Sequence, residues 1–294
     1  MVRVGLKRTR AEVVFSWFNT VFLLLVTFVM MIPLLAVASI SLSSSSAVNT
    51  GKVFIFPVSI TSASWEYIIT LNRLWKSLLL TVGVTLAGTF LSLVLNLLLA
   101  YPLSKKEFAP GRFMLMGMAV TMIFRAPIIP YFLTVRSIGL FDHVLVMIIP
   151  HLYVTYYLFI MVTFLRQIPR ELEEAAMIEG CGYLKVLFWV ILPSSMALVA
   201  TIGLFYAVMY WNQFMHPLLF IQNHNLYPLQ LVVRTFVTGD EVIVGFFRLD
   251  RRALLNDKTV KAAVVIFSVL PVILVYPFVQ KYFVKGAMVG SIKG

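Results

Sequence analysis

Histidine and cysteine are among the side chains of this sequence that could bind a metal ion or carry a nucleophilic or acid–base step. The sequence has a single cysteine, Cys181, which excludes an internal disulfide and which we interpret as a small packing residue. None of the histidines belongs to an H-E-x-x-H motif or to the paired Cys/His spacing of zinc sites. We therefore expect no metal site and interpret each histidine as a polar contact. The four are His143, His151, His216 and His224.

A phosphate-binding loop of the form G-x-x-x-x-G-K-[ST] is also absent from the sequence. The one Gly-Lys pair, Gly51-Lys52, is followed by Val53. The sequence therefore predicts a chain that does not bind ATP through a P-loop, holds no cofactor of its own and is not an enzyme.

An acidic run at 171–179 carries the clearest local signal in the sequence. Pro169 suits the first position of a helix, and the glutamates behind it suit the positive end of the helix dipole. Gly180 or Gly182 suits a left-handed residue that ends the helix. These features predict a short capped helix. Its early glutamates are Glu171, Glu173 and Glu174.

This short helix has the residue types of a protein-docking surface. The small side chains of Ala175 and Ala176 would let the backbone of a partner approach closely, and Glu174 offers a carboxylate to a basic residue across an interface. The alternative is an ordinary solvated loop with a charged face.

The elements that position this segment are apolar runs long enough to cross a membrane. The sequence is 61% hydrophobic and 12% charged, against about 45–50% and about 25% in ordinary soluble domains. Because backbone groups in lipid must be satisfied within their own segment, each run predicts a helix. We predict an all-α integral membrane protein with six transmembrane helices. The spans are 13–40, 77–101, 113–133, 144–164, 193–220 and 262–283.

Lysine and arginine fall mainly in the N-terminal segment 1–12, the connection after the second run, the connection 165–192 and the tail 284–294. The positive-inside rule places these parts in the cytoplasm, so both termini of the transmembrane domain 13–283 are cytoplasmic. The opposite connections are longer and carry acidic residues. The formal net charge of +12 follows from this topology and does not indicate nucleic acid. The acidic residues are Glu66, Asp142, Asp240, Glu241, Asp250 and Asp257.

The start of the chain has an alternative interpretation. Basic residues, an apolar run and Ala36-Val37-Ala38 imitate a signal peptide with its cleavage site. We favour a membrane span, because the run exceeds the usual apolar region of about 7–15 residues and its removal would leave an odd number of helices.

None of the six runs contains an aspartate or glutamate. A proton-coupled carrier normally keeps such a residue within its spans as a relay, whereas sodium coupling through backbone carbonyls stays possible. The sequence therefore favours a driving force supplied by a partner. A stand-alone secondary sugar transporter is the alternative, and a membrane enzyme or receptor is a further rival.

The connection 165–192 resembles the E-A-A-x3-G-x9-I-x-L-P signature of binding-protein-dependent ABC importer permeases, with Val190 at the isoleucine position. The resemblance implies the type I importer permease fold, with a cytoplasmic coupling helix before the fifth span that docks into an ATPase subunit. It assigns ATPase coupling to the residues at the fixed motif positions. These are Glu174, Ala175, Ala176, Gly180, Leu192 and Pro193.

Segments 210–221 and 225–231 and the tail are similar to the carbohydrate branch of that family, especially its polysaccharide and oligosaccharide permeases. The resemblance implies a subunit of an oligosaccharide importer in the cytoplasmic (inner) membrane. Its implied partners are a second homologous permease, two ATPase subunits that bind ATP and Mg, and an extracytoplasmic sugar-binding protein.

Four side chains of the fifth span are candidates for the sugar path, because aromatic rings stack on sugars and amides bond hydroxyls; helix packing is the alternative for each. They are Tyr206, Tyr210, Trp211 and Asn212. Arg125 stands where many relatives are expected to have a glycine pair. It serves either as an interfacial anchor or as part of a binding site for an acidic, uronate- or alginate-like oligosaccharide. In the second case Arg136 and Arg234 belong to the same site.

Overall fold

The structure, a computed structural model, describes residues 9–124, 126–239 and 256–291, with side chains described up to residue 277. These residues form α-helices, short 3-10 and π-helical turns, and irregular connections, with one isolated antiparallel bridge between Ser43 and Ile60. The chain divides into two compact units, 1–70 with 249–267, and 71–248 with 268–294.

The first unit begins with a long apolar helix, α1 (Arg10–Ser41). Thr9 and Glu12 form a capping box at its start, in which each side chain accepts a hydrogen bond from the other residue's backbone N–H. At 1.5 Å per residue, its 32 residues exceed the roughly 30 Å of a bilayer core. The apolar side chains of α1 point outward along most of its length, as expected for a helix that faces lipid or another subunit.

Polar contacts hold the rest of the first unit together. It contains α2 (Ser45–Asn49), α3 (Ala63–Thr70) and the start of the last helix, α14 (Asp257–Ser291). The Ser64 hydroxyl donates to the Thr259 hydroxyl at 2.9 Å, which joins α3 to α14. Both side chains are buried, so this hydrogen bond is shielded from water.

The second unit is built on α4 (Asn72–Ser104), a continuous helix of 33 residues. Against it pack α7 (Thr155–Leu165) and α11 (Met196–Trp211). The buried stripe of α4 consists largely of small and hydroxyl-bearing residues, which allow close approach of neighbouring helices. The stripe includes Ser77, Thr81, Val84, Gly88, Ser92 and Asn96.

Three of the predicted spans are interrupted. The third run consists of α5 (Gly111–Ile123) and α6 (Ile128–Ser137). The fourth begins with 3-10 turns over Val144–His151, which meet α7 at 44°. At the start of the fifth, the helical segment Tyr183–Ser194, most of which precedes the predicted span, meets α11 at 87°. Within the described residues, three helices are long and apolar enough to cross a membrane, or up to six if each bent pair is one span.

The fifth run differs most from the expectation of one uninterrupted helix. The helix α11 ends at Trp211, and a separate helix α12 (Met215–Phe220) follows. Pro193, expected at the start of the span, lies instead inside the short helix α10 (Leu192–Ser194), before the bend. An amphipathic helix, α13 (Leu229–Thr238), comes next, and its Leu229 N–H donates to the Thr81 hydroxyl of α4 at 2.7 Å.

Two glycines of α4 provide a matched test of this packing. A Cβ at Gly88 would lie 2.6 Å from the Tyr210 ring of α11, whereas a Cβ at Gly83 would meet no atom within 4 Å. We expect Gly88→Ala to destabilise the protein by about 1–3 kcal/mol through overpacking. Gly83→Ala is expected to be neutral or stabilising because alanine is the better helix former. Thermal unfolding of the purified protein in detergent would compare the two, and equal midpoints would contradict the close α4–α11 contact.

Candidate coupling site and translocation path

The predicted short helix is present as α8 (Arg170–Ile178). Pro169 occupies the N-cap position, one residue earlier than expected, and Glu171 and Glu173 lie in the first turn. Their negative charge complements the positive end of the helix dipole.

The end of α8 is a Schellman motif centred on Gly180. The Gly180 N–H donates to the Met177 carbonyl and the Cys181 N–H to the Ala176 carbonyl, both at 3.0 Å. Gly180 has φ of +85°, whereas Gly182 is not among the residues with positive φ and is the N-cap of the next helix, with φ of −75°. Of the two glycines considered for the left-handed position, Gly180 occupies it.

The outer face of α8 combines an acidic, a small and an apolar side chain. Glu174 and Ala175 are exposed, and Ala176 is half-buried. Ile178 is 88% exposed, although isoleucine is among the residue types most often buried. The sequence analysis did not single out Ile178, because an apolar residue in a helical pattern normally points to a core.

The inner face of α8 is fixed by charge. Glu173 is buried and forms an ion pair with Lys105, the residue that caps the C-terminus of α4. The Tyr101 hydroxyl also donates to the Glu173 carboxylate, at 3.4 Å. The sequence analysis missed this pair because Lys105 and Glu173 are 68 residues apart, and hydropathy carries no information on such a contact.

A second ion pair lies on the surface beside the first. Arg170 of α8 contacts Glu107 at 2.6 Å, with both side chains more than half exposed. Hydrogen bonds from its own backbone N–H and from Arg170 lower the pKa of the Glu107 carboxyl. In addition, the Arg166 guanidinium donates to the Leu103 carbonyl at 3.1 Å. Together these contacts tie the segment around α8 to the last turn of α4 and the residues that follow it.

A groove of about 690 Å³ lies between α8 and this end of α4. All four charged residues of the two ion pairs line this groove, together with apolar side chains. It includes Tyr101, Phe108, Glu174, Met177 and Tyr183.

The segment Tyr183–Ser194 leads from α8 to the membrane helix α11. It consists of α9 (Tyr183–Val186), a π-helical stretch (Leu187–Ile191) and α10. The Ser195 hydroxyl donates to the Ile191 carbonyl at 2.7 Å, at the point where the chain turns by 87° into α11. Of the two motif residues here, Leu192 is half-buried and Pro193 is exposed.

The four candidates for the sugar path fall into two groups. Tyr206 is fully buried and Tyr210 is 2% exposed, so both rings pack between helices in this structure. Trp211 is half-buried, and its indole Nε1 has no hydrogen-bond partner among the described residues. Asn212 is exposed and donates to the Val208 carbonyl. Arg125 lies outside the described residues.

The two buried tyrosines satisfy backbone groups at the break in the fourth run. The Tyr206 hydroxyl accepts from the Val154 N–H at 3.2 Å, and the Tyr210 hydroxyl donates to the Ile148 carbonyl at 3.3 Å. Asn96 of α4 donates to the Leu152 carbonyl at 2.9 Å. Backbone freed by a broken helix is thus paired with side chains of two neighbouring helices, as burial requires.

Two of the histidines lie close together beside these tyrosines. His151 contacts the Gln213 amide at 2.9 Å, and His216 contacts the Tyr131 hydroxyl at 2.8 Å. The two imidazole rings are 4.1 Å apart and nearly perpendicular. Within the described part of the chain, no group of three or more His, Cys, Asp or Glu side chains could hold a metal ion.

The left-handed glycine gives a matched prediction for α8. A Cβ would meet no atom within 4 Å at Gly180 or at Gly182, so the two positions differ chiefly in backbone conformation. We expect Gly180→Ala to destabilise the end of α8 by about 1 kcal/mol and Gly182→Ala to have little effect. Hydrogen exchange of residues 176–181 would measure the local opening, and equal exchange in both variants would contradict the assigned geometry.

Comparison with known proteins identifies the family. Residues 100–289 match the family described as "Binding-protein-dependent transport system inner membrane component". The permease protein of the polygalacturonan/rhamnogalacturonan transport system of Bacillus subtilis (strain 168) is 37% identical over 275 residues, 93% of this chain and 96% of the relative. Protein LplC of the same organism is 34% identical over 287 residues, 97% of each chain.

A solved structure agrees with these relatives. It is a bacterial ABC transporter involved in the import of the acidic polysaccharide alginate, of which one chain superposes with a TM-score of 0.85 at 29% identity. The match covers 95% of this chain and 100% of that chain. The expected type I permease fold is therefore confirmed, and with it the role of a transport subunit rather than an enzyme. This chain belongs to the family of inner-membrane permease components of binding-protein-dependent ABC importers.

Proposed function

We propose that this chain forms half of the translocation pathway of an ATP-driven oligosaccharide importer in the cytoplasmic membrane, with both termini in the cytoplasm. Its partners are a second homologous permease, two ATPase subunits and an extracytoplasmic sugar-binding protein. The observation that carries the proposal is similarity over nearly the whole chain to a permease of a polygalacturonan/rhamnogalacturonan transport system. A family defined by dependence on a binding protein favours this reading over a stand-alone sugar transporter.

The segment 165–192 couples the chain to an ATPase subunit. Support comes from the exposed part of α8, where Glu174, Ala175 and Ile178 lie on a helix that is held to α4 by the buried Glu173. An exposed apolar side chain beside a carboxylate fits a protein interface better than a solvated loop. ATP and Mg bind to the partner subunits, which supply the driving force.

An acidic oligosaccharide is the specific substrate class that we propose. Polygalacturonan is a polymer of a sugar acid, and alginate is named as acidic, so two of the relatives handle sugars that carry carboxylates. In this chain Arg136 lies over the Phe141 ring at 5.6 Å, and Arg234 lies over the Phe214 ring at 6.0 Å. The ion pairs of the described residues include neither guanidinium, and a guanidinium can bind a carboxylate through two parallel hydrogen bonds.

Trp211 and Asn212 are the members of the proposed path that a sugar could reach in the described arrangement, with Trp211 half-buried and Asn212 exposed. Tyr206 and Tyr210 stay proposed contacts for a different arrangement of the helices, because their hydroxyls are used in internal hydrogen bonds in the described one. Arg125 stays a proposed contact for the sugar carboxylate.

Charge reversal at Glu174 tests ATPase coupling. We expect Glu174→Lys to abolish sugar-stimulated ATP hydrolysis by the assembled importer. The substitution replaces an exposed carboxylate at the docking face with a positive charge, which would repel a basic residue of the partner. Glu171→Lys, an equally exposed glutamate in the first turn of the same helix, is the matched control and should retain most of the stimulation. Normal stimulation in Glu174→Lys, with normal amounts of the chain in the membrane, would contradict the coupling role.

Arginine substitution tests the acidic substrate. In proteoliposomes with the binding protein, we expect Arg136→Gln to lower uptake of oligogalacturonate about tenfold, the value of one charge-assisted hydrogen bond. Arg136→Lys keeps the charge and should retain more of the uptake. The methyl ester of the same oligosaccharide has the same rings and length without the carboxylates, so its uptake should not respond. An equal decrease for acid and ester would exclude a role for Arg136 in charge recognition.

A further inference from the structure

The ion pair between Lys105 and Glu173 joins two helix ends of opposite polarity. Lys105 caps the C-terminus of α4, where the dipole is negative, and Glu173 lies in the first turn of α8, where the dipole is positive. Each charge therefore stabilises its own helix end and also attracts the other charge.

Burial turns this attraction into a geometric constraint. The Glu173 side chain is 10% exposed and the Lys105 side chain 24% exposed. The Lys105 ammonium also lies 4.5 Å from the centroid of the Tyr101 ring, whose hydroxyl donates to the same carboxylate. A carboxylate that is largely buried is destabilised when it loses its partner, so the separation of α8 from α4 carries a free-energy cost.

The route from α8 to the membrane through α4 contains no break in the helix, whereas the route along the chain is bent. The covalent route passes the π-helical stretch Leu187–Ile191 and the 87° turn at Ser195 before it reaches α11. By contrast, α4 is a continuous helix of 33 residues. Towards its N-terminus from Lys105, this helix carries Asn96, which donates to the Leu152 carbonyl at the break in the fourth run, and Gly88, which lies against the Tyr210 ring.

We propose that Lys105 and Glu173 are positioning residues that make α4 and α8 move together, so that a displacement of α8 by the ATPase is passed directly to the packed core of the second unit. The inference rests on the proposed coupling role of segment 165–192. It adds a contact outside the exposed docking surface, because Glu173 is buried in its pair with Lys105 whereas Glu174 is exposed.

The test exchanges the two charges in the complete importer. We expect Lys105→Glu and Glu173→Lys, each alone, to lower sugar import per assembled complex at least about tenfold, since each leaves two like charges buried together. Import should recover in part in the double variant that carries both substitutions, because the ion pair is restored while each charge then opposes its helix dipole. The ATPase subunit should co-purify in undiminished amounts with every variant, because the docking face is unchanged, whereas a merely structural defect would reduce the amount of complex.

The exposed pair provides the matched control. Glu107→Lys breaks the contact with Arg170. Because the Arg170 side chain is 54% exposed and the Glu107 side chain 66% exposed, we expect this substitution to change import little. Single reversals that import like this control would overturn the inference. If Glu174→Lys nevertheless abolishes stimulated hydrolysis, the proposed function stands without it; if Glu174→Lys is also normal, both fail.

A second set of substitutions tests the inference if the charge-reversed chains fail to insert into the membrane. Lys105→Gln removes the charge and Lys105→Arg keeps it, so loss of import in the first and retention in the second support the pair. Wild-type import per complex by Lys105→Gln would overturn it.

Discussion

Every backbone N–H and carbonyl inside a bilayer must find its hydrogen-bond partner within the protein, and the second unit depends on this constraint. Where the fourth run departs from an α-helix, at 148–154, the freed groups are bonded by side chains of α4 and α11. Asn96, Tyr206 and Tyr210 therefore fix where the break lies and also lock the three elements together. A residue type suited to sugar binding thus serves first to hold the fold.

Two neighbouring glutamates of α8 have different roles because only one of them has an internal partner among the described residues. The neighbouring residues Glu173 and Glu174 differ in burial, so one carboxylate is paired internally while the other is exposed to solvent. The internal pair holds α8 on the end of α4, and the exposed residue lies beside Ile178 on the free face. A helix that is held to α4 by one ion pair and exposes other side chains for binding is suited to transmit force between a soluble partner and membrane helices.

Local features of this fold were predictable from the sequence, whereas tertiary ones were not. The apolar runs, the start of α8 near Pro169 and a left-handed glycine at 180 or 182 all follow from residue types within a few positions of each other, and the structure selects Gly180. The interruptions of three runs do not, because hydropathy is the same for a straight and a broken apolar helix. Lys105–Glu173 and the exposure of Ile178 depend on how distant segments pack, and the burial of Tyr206 reversed its apparent availability to a sugar.

The central claim is that the free face of α8 contacts an ATPase subunit, and a photo-crosslink measures that contact directly. A photoreactive amino acid placed at Ile178 in the assembled importer should form an adduct with the ATPase subunit. The same group at Ser137, an exposed residue of a connection that we place on the opposite side of the membrane, is the control and should form none. Absence of an adduct from Ile178, or an equal yield from both positions, would contradict the account.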